Sequence, residues 1–363
     1  MNQYKKRKIV FVVGYFAAGG AERVISILAN AFADKGYSVS LVYFKKKDDF
    51  YALDNSINKY YLDIPTNSKN FILGLQNTRI RILKLREQIK QIAPDAVISF
   101  MTDINVLTIL AARKTDIPVI ISERTNPFKS IFSYKWKIAA RFLYKYAAKL
   151  VLQTSAVKKY YKNINDQKIE IIPNPVKEIK SNSKKKENII IGVGRLEYPK
   201  GFDMLIQAFV QTKAIKNWKL LIAGEGSERE CLQRIINKNE VQDRVKLIGL
   251  QESMDEIYSN ASIYVLSSRY EGYPNSLAEA MSAGLPCISF NCDFGPAEMI
   301  RDNDNGILVD AGNIDKLAEE IDRLAFDETM RKKIGEKAIE IRQNLDQAVV
   351  RKKWESIFDQ LNP

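Results

Sequence analysis

The sequence predicts an α/β protein with two doubly wound, mainly parallel sheets, one in each half of the chain. Short apolar runs alternate with longer amphipathic stretches, the order in which βαβ units are written. The alternation breaks at a charged, serine-bearing segment, 177–186, and then starts again. A length of 363 residues exceeds one ordinary core and suits two domains of about 150–200 residues.

In the first half, 8–13 and 39–44 read as strands, 72–92 as a helix with many basic residues, and 96–100 and 119–122 as strands. A helix over 134–150, a strand over 151–154 and a strand over 169–172 lead into Pro173-Asn174-Pro175. Ligands of such sheets gather at the carboxyl ends of the strands, so the loops 14–22, 101–105 and 122–127 matter most. In the second half, 189–193, 220–223, 246–248, 263–268 and 287–290 read as strands. Helices are expected over 202–213, 228–238, 276–283, 315–326, 329–343 and 348–361.

Lys5-Lys6-Arg7-Lys8 ahead of the apolar run 9–21 has the outline of a secretory leader. The run reads better as a buried first strand, 9–13, turning into a helix over 20–35. Ala21, Val24, Leu28, Ala31 and Phe32 recur there at near-helical spacing. No run of ~18 apolar residues occurs, so no transmembrane helix is expected.

Composition excludes several chemistries. The chain has no histidine, which rules out serine–histidine and cysteine–histidine catalysis and histidine-ligated metals. Its three cysteines, Cys231, Cys287 and Cys292, form no Cys-x-x-Cys pair and leave one over, which argues for a reducing compartment and against structural zinc. Gly192-Val193-Gly194 follows a strand, but the third glycine of a dinucleotide fingerprint would fall on Glu197, so a nicotinamide enzyme is not indicated.

The most informative stretch runs from Glu271 to Glu279: Glu-Gly-Tyr-Pro-Asn-Ser-Leu-Ala-Glu. A strand precedes it and a helix follows Pro274 and Asn275. One carboxylate therefore sits on the loop and the other about one turn into the helix. The first N–H groups of a helix lack intrahelical partners and favour phosphate. A carboxylate a turn further along can accept hydrogen bonds from ribose hydroxyls. Arg195 and Lys200 offer two cations beyond the strand over 189–193, and Gly19 and Gly20 open the first helix. Those two glycines read equally as a simple turn or as a close approach for a ligand.

With Gly194-Arg195-Leu196-Glu197-Tyr198-Pro199-Lys200-Gly201, Gly19-Gly20-Ala21-Glu22-Arg23 and Ile172-Pro173-Asn174-Pro175, this stretch resembles the retaining glycosyltransferases of family 4. Their signature is two glutamates separated by seven residues. The resemblance covers nearly the whole chain in order, and it implies the GT-B fold: two Rossmann-like domains facing across a cleft. It places an acceptor-binding domain at 1–175, a nucleotide-sugar domain at 176–345, and a last helix, within 346–363, returning to the first domain with Trp354 as anchor. It implies that Arg195 and Lys200 clamp the pyrophosphate of a UDP-sugar, with the backbone of Gly272, Tyr273, Pro274, Asn275 and Ser276 beside it and Leu277 following. By the same carry-over Glu279 holds the ribose, Glu271 sits near the transferred sugar, and Leu250 and Gln251 hold the base. No metal and no other cofactor is implied.

The sequence departs from the pattern where many members carry a histidine after the fourth strand. Here Arg124 stands in Ser122-Glu123-Arg124-Thr125-Asn126-Pro127. Arginine cannot act as a base at neutral pH. A retaining transfer needs none if the leaving phosphate takes the acceptor proton, and the change suits Arg124 to binding donor or acceptor phosphate.

Charge is uneven. Residues 1–175 hold 29 Lys and Arg against 13 Asp and Glu, a balance of +16, and the remainder is at −3. The first half therefore faces something anionic. Lys137, Arg141, Lys145 and Lys149 recur every fourth residue of the expected helix 134–150, as one basic stripe beside Ile138, Phe142, Leu143, Tyr146 and Ala147. The reading is a UDP-sugar transferase with a lipid-linked saccharide acceptor, peripheral on the cytoplasmic face of an anionic membrane, with no nucleic-acid partner. The alternative is a non-catalytic nucleotide-sugar-binding subunit, which retention of both glutamates, Arg195 and Lys200 disfavours.

Overall fold

A computed structural model describes residues 7–14, 19–45, 50–64, 71–124, 134–176, 179, 186–251 and 253–361. Residues 15–18 of the first glycine-rich loop, 125–127 and most of the 177–186 segment lie outside them. The chain divides into two compact units, Met1–Pro175 with Gln347–Pro363, and Val176–Asp346.

The first unit runs β1 (Lys8–Val13), α1 (Gly20–Asp34), β2 (Ser38–Tyr43), β3 (Asn58–Tyr61), α2 (Phe71–Ile92), β4 (Ala96–Phe100), α3 (Thr102–Ala112), β5 (Val119–Ser122), α4 (Tyr134–Leu143), β6 (Lys149–Leu152), α5 (Ser155–Lys158) and β7 (Ile169–Ile171). Its parallel sheet has the order β3-β2-β1-β4-β5-β6-β7. Phe11 pairs with Leu41 on one side and Ile98 on the other, so β1 is central. The strand's period of two splits its side chains between the faces. Ile9, Phe11 and Val13 pack with Leu28 and Phe32 of α1, while Val10 and Val12 pack with Leu85 and Ile89 of α2 and Leu107 of α3. Burial on both faces is what makes such strands read as continuous apolar runs.

The second unit runs β8 (Ile189–Val193), α6 (Phe202–Gln211), β9 (Lys219–Ala223), α7 (Arg229–Lys238), β10 (Val245–Gly249), α8 (Asp255–Asn260), β11 (Ile263–Leu266), α9 (Asn275–Ser282), β12 (Cys287–Asn291), α10 (Pro296–Met299), β13 (Ile307–Asp310), α11 (Ile314–Phe326), α12 (Glu328–Ala338) and α13 (Arg342–Leu345). Its parallel sheet has the order β10-β9-β8-β11-β12-β13. Ile190, Ile222 and Val265 face α6 and α11; Ile191, Tyr264 and Leu266 face α9. The final helix, α14 (Gln347–Leu361), belongs to the first unit. Its Trp354 is fully buried, 6.1 Å from the ring of Phe100.

Two expectations fail for physical reasons. The helix expected over 134–150 ends at Leu143, passes through a 3₁₀ turn over Tyr144–Tyr146, and gives way to β6 at Lys149. Leu150 pairs with both Ile121 and Ile169, so two ladders outweigh the helical spacing. Lys149 therefore leaves the basic stripe: it is buried, donating to Glu170 at 2.8 Å and to the Gln167 carbonyl at 2.9 Å. Of the apolar residues beside that stripe, Ala147 is buried, while Ile138, Phe142 and Tyr146 are exposed. Second, 101–105 is not a loop; α3 begins at Thr102, after Met101 turns with φ 75°. That helix is buried on nearly every side, its polar Thr102, Asn105 and Thr108 included, so it shows no amphipathic period.

Candidate active site

In an open parallel sheet, ligands collect beyond the carboxyl ends of the strands where the strand order reverses. In the second unit the reversal lies between β8 and β11. The loop leaving β8 carries Arg195 and Lys200, and the loop leaving β11 carries Glu271. Topology alone thus brings these residues to one place, although they lie about seventy positions apart in sequence.

Their geometry is tight. Lys200 Nζ donates to Glu271 Oε1 at 2.6 Å, and the Ser268 hydroxyl donates to the same oxygen at 2.7 Å. The side chains are 21% and 8% exposed, so the pair is largely shielded from water. Removing one member of such a pair strands the other, which costs more than the pair itself is worth. Arg195, by contrast, is exposed. Gly194 and Gly201 make room: a Cβ at 194 would press on the Lys200 stem, and one at 201 would run into the Ser267 carbonyl. Gly201 also has φ +62°, where glycine is favoured.

Beyond Glu271 the chain turns into α9. The Asn275 N–H donates to the Tyr273 carbonyl at 3.0 Å, and those of Leu277 and Ala278 to the Pro274 carbonyl at 3.1 and 3.2 Å. Proline has no N–H, so the helix entrance offers fewer free donors than its sequence suggests. Glu279 is 5% exposed, and Tyr258 donates to it at 3.2 Å. Tyr264 bonds the Ser276 hydroxyl at 2.8 Å, tying the first turn to β11. Tyr273 is buried, and Pro274 lies against Gly295, where a Cβ would collide with its ring. At the end of β10, Leu250 is 64% exposed, while the Gln251 amide folds back on the Ile248 carbonyl at 2.6 Å.

Sequence reasoning missed the loop after β9. Gly224 and Gly226 press on the backbone of Gly194 and Leu196, and the Leu196 N–H donates to the Glu225 carbonyl at 2.9 Å. The pair of glycines at 224 and 226 was the available signal. This loop braces the one that carries Arg195.

In the first unit the corresponding edge holds Gly19, Gly20 and Arg124. Gly19 precedes α1, and a Cβ there would strike the Glu22 carboxylate; Gly20 is exposed. Arg124 is 9% exposed; its guanidinium lies 4.7 Å from the Phe100 ring centre and donates to the Asn174 side chain. Its neighbour Glu123 is buried and accepts from Thr102 at 3.1 Å, from Asn105 at 3.3 Å and from Tyr144. Its pKa is pushed up to about 7, chiefly by burial and with the charge of Asp103 adding to the rise, against the lowering pull of these hydrogen bonds. Glu123 thus fastens α3 and the Tyr144 turn to the strand end that presents Arg124. Among the described residues no three carboxylates or thiols converge as a metal would require.

Comparison with known proteins accords with this layout. Residues 18–178 match the model of Glycosyltransferase Family 4, and residues 174–341 match that of Glycosyl transferases group 1. The chain is 28% identical over 359 residues to the GalNAc-alpha-(1->4)-GalNAc-alpha-(1->3)-diNAcBac-PP-undecaprenol alpha-1,4-N-acetyl-D-galactosaminyltransferase of Campylobacter jejuni, covering 96% of this chain and 97% of that one. It is 27% identical over 364 residues to the amylovoran biosynthesis glycosyltransferase AmsD of Erwinia amylovora, covering 97% and 99%. The structure of Anabaena HepE in complex with UDP and glucose is similar with a TM-score of 0.84 at 17% identity, over 97% of this chain and 99% of that one, which speaks for the fold.

Glu123 generates a pH prediction. The folded protein holds its proton up to about pH 7, whereas the unfolded chain releases it near 4.5. Stability should therefore fall as pH rises through that window and level off above it, by roughly 3 kcal/mol for this group. In Glu123→Gln this component disappears. Urea unfolding followed by tryptophan fluorescence at pH 5 and 7.5 checks it: wild type should lose more stability across the interval than the variant, and equal losses would contradict it.

Proposed function

Because the chain belongs to the glycosyltransferases of family 4, built on the GT-B fold, we propose that it transfers a hexose or N-acetylhexosamine from a UDP-sugar to a lipid-linked saccharide with retention of anomeric configuration. The observation that carries this reading is the Lys200–Glu271 pair at the reversal point of the second sheet. It puts a cation and a carboxylate within one hydrogen bond of each other where a nucleotide would lie.

The chemistry follows from those groups. The bond from the sugar C1 to the β-phosphate oxygen breaks, and a bond from C1 to the acceptor oxygen forms on the same face. The acceptor's proton passes to the departing phosphate oxygen, so no protein base is required. Negative charge grows on that phosphate, and fixed donors aimed at it supply the largest single term in such reactions. Lys200, Arg195 and the N–H groups of the 272–276 backbone supply them, except at Pro274, which has none, and Asn275, whose own is taken by the Tyr273 carbonyl. The transfer runs without a metal. Glu271 orients the sugar and counters positive charge at C1. Glu279 binds the ribose, with Tyr258 fixing its carboxylate; Leu250 and Gln251 flank the base. Within the first unit, Gly19 and Gly20 leave the entrance of α1 without side chains for the close approach of a ligand, and Arg124 is a fixed cation for phosphate oxygens.

The acceptor class is supported by the C. jejuni relative, whose name specifies an undecaprenol-diphosphate saccharide, and by the basic first unit. No helix among the described residues is long and apolar enough to cross a membrane. Docking from the cytoplasmic side falls to α4 and the turn after it. Tyr134, Ile138 and Phe142 are 76%, 40% and 63% exposed, with Arg141, Lys145 and Tyr146 also exposed and Lys137 half-buried. Aromatic and basic side chains together on an exposed helix suit the headgroup region.

Lys200→Ala should lower turnover by about 10² or more, and Glu279→Gln should weaken UDP binding in calorimetry. Activity should persist in excess EDTA and give an α-linked product from an α-linked donor. Undiminished turnover in Lys200→Ala, or a β-linked product by NMR, would defeat the mechanism. Phosphatidylglycerol liposomes should sediment wild type at low salt and release it as salt shortens the screening length. A variant with Lys137, Arg141 and Lys145 changed to glutamine should bind much less. Equal sedimentation would remove α4 as the docking surface.

A further inference from the structure

Lysine is a flexible stem with a point charge at its end, and such a side chain has many rotamers to choose from. A catalytic lysine therefore needs its own backbone held still. The turn that carries Lys200 spans Tyr198 to Asp203, and Arg269, two residues before Glu271, grips it from the other loop. The Arg269 guanidinium makes two parallel bonds to the Asp203 carboxylate, at 2.8 and 2.6 Å, and donates to the Tyr198 carbonyl at 2.9 Å. It also lies 4.1 Å from the centre of the Tyr198 ring. Its backbone N–H donates to the Pro199 carbonyl at 2.8 Å, and the Ser267 hydroxyl donates to the Lys200 carbonyl at 3.0 Å.

We propose that Arg269 is a positioning residue for the transfer: with Asp203 it straps the Lys200 turn to the Glu271 loop and fixes the distance between the two reacting loops. The strap ties Lys200 and Glu271 to each other through a second route, independent of their own ion pair. Burial raises the pKa of Asp203, but the hydrogen bonds and charge of Arg269 outweigh it and hold the carboxyl below its ordinary range. Asp203 also lies in the first turn of α6, where negative charge is favoured. The geometry demands arginine. A planar fork can hold a carboxylate with two bonds, a carbonyl and an aromatic face at once, whereas an ammonium cannot reproduce that set.

This inference rests on Lys200 binding the donor pyrophosphate, and the test separates the two. Three variants are made, Arg269→Gln, Arg269→Lys and Lys200→Ala, together with the double variant Lys200→Ala/Arg269→Gln. Turnover, UDP affinity by calorimetry, and amide hydrogen exchange over 198–203 are measured for each. Arg269→Gln should lower turnover by about 10- to 100-fold, the scale of a small misplacement. It should also weaken UDP binding and speed exchange in the turn, and Arg269→Lys should not rescue it. In the Lys200→Ala background the loss of UDP affinity caused by Arg269→Gln should shrink to less than about twofold, because coupled residues are non-additive. Unchanged exchange in Arg269→Gln, or an equal affinity loss in both backgrounds, would overturn the strap. Undiminished turnover and UDP affinity in Lys200→Ala, with faster exchange in Arg269→Gln, would instead overturn the donor-site reading and uphold the strap.

Discussion

A lysine ammonium 2.6 Å from a carboxylate whose side chain is 8% exposed is the contact on which the rest of the second domain depends. Taking both charges out of water is costly, and the pair is tolerated only because further hydrogen bonds satisfy it. Ser268 supplies one of these at 2.7 Å. The two loops come together because β8 and β11 are neighbours whose connections depart in opposite directions. The sheet order thus produces the site; no local feature of either loop would.

The fold gives way to the site at a few glycines. Gly201 and Gly224 lie where a side chain would collide with a neighbouring backbone, against Ser267 and Gly194. These close approaches let three loops stack at the carboxyl edge of the sheet and hold Lys200 in a shielded setting. Preorganisation of that kind costs nothing at the moment of reaction, whereas flexible surface lysines would have to be ordered each time. The first domain uses a different device. There a buried carboxylate, Glu123, gathers Thr102, Asn105 and Tyr144 beneath the strand end that presents Arg124.

Much of this was legible in the sequence. The doubly buried strands declare themselves as apolar runs, and the Glu271–Glu279 spacing marks a strand, a loop and a helix in their observed places. What was not legible depended on partners distant in sequence. β3 (Asn-Lys-Tyr-Tyr) sits at the sheet edge with its side chains mostly outside, so no apolar run announces it. α3 is enclosed on all sides and has no period. Lys149 fits a helical stripe by spacing and is taken out of it by β5 and β7. Arg269 looks like a solvated loop charge until Asp203, sixty-six residues earlier, is placed beneath it.

The proposed donor site puts a nucleotide diphosphate at the reversal point of the second sheet, with Lys200 on its phosphates. A crystal structure with UDP bound tests it most directly. The expected result is a phosphate oxygen within about 2.7–3.1 Å of Lys200 Nζ, the range of a preorganised donor, with the ribose hydroxyls on Glu279. A diphosphate bound elsewhere on the domain, with Lys200 still turned only to Glu271, would contradict it.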